Sequence, residues 1–76
     1  MSDREFLVEA NIQDVLKYMI EDLKLSIVDA MRQFYASAVF EKLQDFETGL
    51  YLESPAYIYE MYKGELKEHG IVQDEI

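Results

Sequence analysis

The chain has 76 residues, no cysteine and a formal net charge of -9, seven Lys and Arg standing against sixteen Asp and Glu. That length suits one domain in which folding buries only about 60% of the unfolded surface, and half of the residues are hydrophobic, so a core is expected. Without cysteine there is no disulfide, thiolate metal site or cysteine nucleophile, and an even acidic spread, -3 in each of residues 1–25, 26–54 and 55–76, disfavours nucleic acid and anionic membranes as partners.

Ser2 followed by Glu5 has the spacing of a capping box, each side chain satisfying a backbone N–H at a helix start. A first helix is predicted over 3–23. At 3.6 residues per turn Val8, Ile12, Val15, Leu16, Met19, Ile20 and Leu23 fall on one apolar face, opposite Asp14, Lys17 and Glu21. Leu7 and Tyr18 form a second strip on the flank, a first hint of a contact outside the core. Charges within the first five positions and the lack of a long apolar run give neither a secretory signal nor a membrane anchor, so a cytoplasmic location is expected.

In "KLSIVD" Ser26 is an N-cap and Asp29 stands at N3, where a negative charge suits the helix dipole. A second helix is predicted over 27–36, with Ile27, Ala30, Met31, Phe34, Tyr35 and Ala38 on a shared face. Ser37 reads either as a passenger in one longer helix or as a break and a new cap. We take the break, with a short third helix over 39–43 that points Phe40 and Leu43 inward. Gly49 then closes it in the left-handed conformation that other residues adopt at a cost. Residues 50–53 are expected as a short extended link. "SP" starts the last helix, Ser54 as cap and Pro55 at the first helical position, where a missing N–H costs nothing. It is predicted over 55–68 and to stop at Gly70.

Four of the six tyrosines, Tyr51, Tyr57, Tyr59 and Tyr62, fall in or just before this last helix. Aromatic residues at helical spacing usually mean packing, yet the apolar arc is wide for so small a domain, which suggests one edge against another chain. Glu65 and His69 have the i,i+4 spacing of paired ligands, but His69 is the only histidine and a metal needs three or four groups, so a helical ion pair is the expected reading. The serines Ser2, Ser26, Ser37 and Ser54 stand at caps, and only His69 could serve them as a base. The three glycines, Gly49, Gly64 and Gly70, lie too far apart for a phosphate loop. Gly64 within a helix marks either a close helix approach or a tolerated defect.

The run 34–66, through its elements "FEKLQD", "TGLY", "SPAYIY" and the closing "EL", resembles a family of short uncharacterised bacterial proteins built as compact helical domains. The resemblance implies an accessory or antitoxin-like role beside an effector. It carries over no functional residue.

The expected fold is all-α, one domain over 1–76 forming a small antiparallel bundle of about four helices, one of them short, with 70–76 as a loose tail. The expected function is a non-catalytic module that binds a more basic protein and self-associates into a homodimer. Its candidate contact residues are Tyr51, Tyr57, Tyr59, Tyr62, Leu7 and Tyr18. The alternative is a small regulator of helix-turn-helix type, which a missing basic recognition helix disfavours. No catalytic residue, cofactor or metal is expected.

Overall fold

The computed structural model describes the backbone of residues 3–74 and the side chains of residues 3–68. Helix α1 spans Asp3–Leu23, α2 Ile27–Tyr35, α3 Ala38–Gln44 and α4 Pro55–Asp74, with single 3-10 turns at Phe46–Thr48 and Leu50–Leu52. The fold is all-α, with no strand among the described residues.

Local chemistry sets most of these boundaries. Ser26 accepts the N–H of Asp29 at 3.1 Å and starts α2. Ser37 donates its hydroxyl to the Phe34 carbonyl at 2.6 Å and accepts the Phe40 N–H at 3.1 Å, closing one helix and opening the next with one buried side chain. Ser54 accepts the N–H of Tyr57 at 3.2 Å. The capping role expected of Ser2 lies outside the described residues. Lys24, just past α1, takes a φ of 59°, the left-handed conformation that helix C-termini usually give to glycine.

Three expectations need correction. The link over 50–53 is not extended: Leu50–Leu52 is a 3-10 turn, because Gly49, at φ 71°, joins it directly to the preceding turn. Gly49 closes that preceding turn, not α3, whose C-cap is Asp45. Gly70 does not end α4, which continues to Asp74; a glycine weakens a helix by about 1 kcal/mol relative to alanine but does not break it. The expected loose tail is thus helical through residue 74, and 75–76 lie outside the described residues.

The core joins Val8, Val15, Leu16 and Met19 of α1, Ala30 and Phe34 of α2, Val39 and Leu43 of α3, Leu50, and Ile58, Tyr59 and Tyr62 of α4. Phe34 is its hub, its ring edge-on to Phe40 at 5.6 Å and to Tyr62 at 5.5 Å. Cross-contacts give the helix directions. Ala38 and Val39 meet Glu65, while Lys42 shares a hollow with Tyr57 and Met61, so α3 and α4 run antiparallel. Asp22 of α1 meets Tyr59 of α4, and Asn11 of α1 meets Tyr51 in the 3-10 turn before α4. The molecule measures 43 × 23 × 18 Å.

Candidate interaction site

The tyrosines do not form one surface. Tyr62 is 1% exposed and Tyr59 6%, both within the core. Burial raises the pKa of each phenol; for Tyr59 the hydrogen bond it donates to Asp22 at 2.7 Å adds to the rise, and for Tyr62 the Glu65 charge does. Tyr18 is half-buried, its ring 5.4 Å from that of Tyr59. Lys63 also lies 4.9 Å from the centre of the Tyr59 ring. A direct contact role for Tyr59 and Tyr62 is thereby corrected: they occupy the arc of α4 that faces α1 and α2. Tyr57, 51% exposed, and Leu7 remain on the surface, and Tyr51 is half-buried.

A different site comes from α1 and the turn after α3. Val8, Ile12 and Phe46 line an open hollow of about 320 Å³, together with Glu5, Glu9 and Gln44. Its wall is fixed from behind. Phe46 packs edge-on against Tyr51 at 5.5 Å, and the Tyr51 carbonyl accepts the side-chain amide of Asn11 at 3.0 Å, a buried polar residue on the apolar side of α1. The Arg4 guanidinium lies 5.5 Å from the Phe46 ring centre. Neither Asn11 nor Phe46 was singled out from the sequence: a polar residue amid Val8, Ile12 and Val15 is the signal that could have found Asn11, and Phe46 had none beyond its aromaticity.

Further apolar side chains stand in solvent along α2, where Ile27, Val28, Met31 and Tyr35 are 37 to 57% exposed. The shared face expected for α2 is thus split: only Ala30 and Phe34 are buried. Helix α3 carries one acid, Glu41, and one base, Lys42, which gives a helix-turn-helix reading no electrostatic support. The N–H groups at its start are taken by Glu65, whose carboxylate oxygens accept from Ala38 at 2.9 Å and from Val39 at 3.1 Å. The expected pairing of Glu65 with His69 lies outside the described side chains.

Among the described residues no group of three or more His, Cys, Asp or Glu side chains is placed to hold a metal ion, and no helix is long and apolar enough to cross a membrane. Compared with protein-family models, curated proteins and solved structures, the chain matches none.

Proposed function

We propose that the chain is a non-catalytic protein-interaction module that binds a more basic protein in the cytoplasm, and that the hollow between α1 and the first 3-10 turn receives it. The observation that carries this reading is the pairing of an apolar floor, Val8, Ile12 and Phe46, with the carboxylate of Glu9, which neighbours Val8 on α1. A Lys or Arg side chain is apolar along its stem and charged at its tip, so it matches such a floor and rim. The net charge of -9 draws a cationic partner in from a distance. An acidic chain that covers a basic effector is also what an accessory or antitoxin-like role requires.

The test is an NMR titration at low salt with a synthetic helical peptide of alternating Leu and Arg, followed against the same titration of Glu9→Lys. Saturable shifts centred on the amides of Val8, Glu9, Ile12 and Phe46, weakened by Glu9→Lys and by added salt, are expected. Weak, unsaturating shifts spread over all acidic residues and unaltered by Glu9→Lys would leave only a generic polyanion.

A further inference from the structure

The apolar strip along α2 is placed differently from the hollow, both in the fold and in charge. Ile27, Met31 and Tyr35 recur every fourth residue, so they stack along one line of the helix, with Val28 beside them. At its far end the Tyr35 ring packs against Phe40 at 4.8 Å, so the strip continues onto α3. It is also the charge-poor part of the molecule. Between Leu25 and Phe40 the only charged residues are Asp29 and Arg32, which pair with each other at 3.5 Å and cancel. The whole net charge of -9 therefore lies outside this segment.

Charge decides what can cover such a strip. A basic partner gains nothing there, because no net negative charge faces it, and the rest of the surface attracts it more strongly. A second copy of this chain meets the opposite situation. Two molecules of charge -9 repel each other wherever their acidic faces approach, and the approach with least repulsion is the one that joins the neutral α2 segments. We propose that α2 is a self-association surface, two copies meeting strip to strip about a two-fold axis that passes near Met31, the middle residue of the line. In a two-fold contact residues near the axis face their own copies, so Met31 lies closest to Met31 of the second molecule. Four exposed side chains make a small contact compared with a standard interface, so the dimer is expected at roughly tens to hundreds of micromolar protein, the scale of weak contacts.

The two surfaces respond oppositely to salt, which separates this proposal from the binding of a basic protein. Salt screens the repulsion between two acidic copies and strengthens a dimer made through a neutral apolar strip, whereas it weakens a contact between an acidic hollow and a cation. The experiment uses the isolated chain, with no partner present. Sedimentation equilibrium of the wild type is compared at low and high salt, and repeated with Met31→Gln, a substitution of nearly equal shape that adds no charge and sits at a partly exposed position. Association that tightens with salt and weakens severalfold or more in Met31→Gln, with the helical circular dichroism unchanged, is expected. Because the chain has no cysteine, Met31→Cys gives a second reading: mild oxidation at high salt should link it into a disulfide dimer, while Tyr57→Cys, exposed on α4, should link much more slowly. A wild type that remains a 9.0 kDa species at millimolar concentration in high salt overturns the proposal. So does association that Met31→Gln leaves intact, or equal linking rates for the two cysteine variants.

Discussion

Tyr59 and Tyr62 stand on neighbouring turns of α4 and are both buried, yet their hydroxyls differ. The Tyr59 hydroxyl donates to Asp22 on α1 at 2.7 Å, while that of Tyr62 is buried with no hydrogen-bond partner in the protein. A buried polar group without a partner costs about 1–3 kcal/mol, and a hydrogen bond to a charged group contributes about 1.5–3 kcal/mol; the exposure of Asp22 to solvent reduces the latter. The same deletion of one oxygen should therefore act in opposite directions. Tyr59→Phe is expected to lower stability by about 1 kcal/mol and Tyr62→Phe to leave it unchanged or raise it by up to about 1 kcal/mol, read from urea midpoints at neutral pH. Equal losses in the two variants would show that the Tyr62 hydroxyl is as well satisfied as that of Tyr59. Tyr57 differs from both in pointing to solvent, so three tyrosines on one helix have three separate roles.

At the scale of elements, α3 has only seven residues, too few to hold its own helical conformation in water. It is held by its start. Ser37 caps one N–H from within, and Glu65, 27 and 26 residues away in sequence, takes those of Ala38 and Val39. Glu65→Ala should cost about 1–2 kcal/mol, the range for losing a cap with its charge at a helix N-terminus, and should speed hydrogen exchange at the Ala38 and Val39 amides specifically. Unchanged exchange at those two amides would remove Glu65 from this role. Ser26, Ser37, Ser54 and the left-handed Gly49 were legible because a cap or turn acts over three or four residues, and the helices they bound were placed to within about two residues except at the end of α4. Glu65 was not legible, since nothing local links it to a serine-capped turn 27 residues earlier. Gly64 was ambiguous in sequence, and beyond its own chain neighbours and the adjoining helix backbone no atom lies within 4 Å of where its Cβ would stand, so it is a tolerated weakness and not a close approach. The periodicity of α2 gave the right apolar positions but not their burial, because Ile27, Met31 and Tyr35 lie beyond the arc that a domain of this size can cover. In the same way the tyrosine arc identified α4 as unusual but could not sort Tyr59 and Tyr62, which face α1 and α2, from Tyr57, which does not.

Over the whole molecule, the two buried phenols join the elements into one unit: Tyr59 bonds to α1 and stacks near Tyr62, and Tyr62 packs edge-on against Phe34 of α2. Ionising either one therefore acts on the entire bundle. Both pKa values are raised by burial in the folded chain, whereas in the unfolded chain they return to the ordinary phenol value of about 10. With the folded value above the unfolded one, the contribution of each group is fully present below about pH 10. Above it, the unfolded chain releases protons that the folded chain retains, and stability is lost as the pH rises toward the folded values. One such group loses up to about 1.4 kcal/mol per pH unit, so a fall on the order of 1–2 kcal/mol is expected between pH 10 and pH 11. Urea denaturation at fixed pH steps from 8 to 11 measures it, and the double variant Tyr59→Phe with Tyr62→Phe supplies the control, since lysine deprotonation and the remaining surface tyrosines contribute equally to both proteins. The double variant should show a clearly shallower alkaline decline than the wild type. Parallel declines in the two proteins would mean that repulsion among surface charges, and not the ionisation of the two core phenols, unfolds the bundle at high pH.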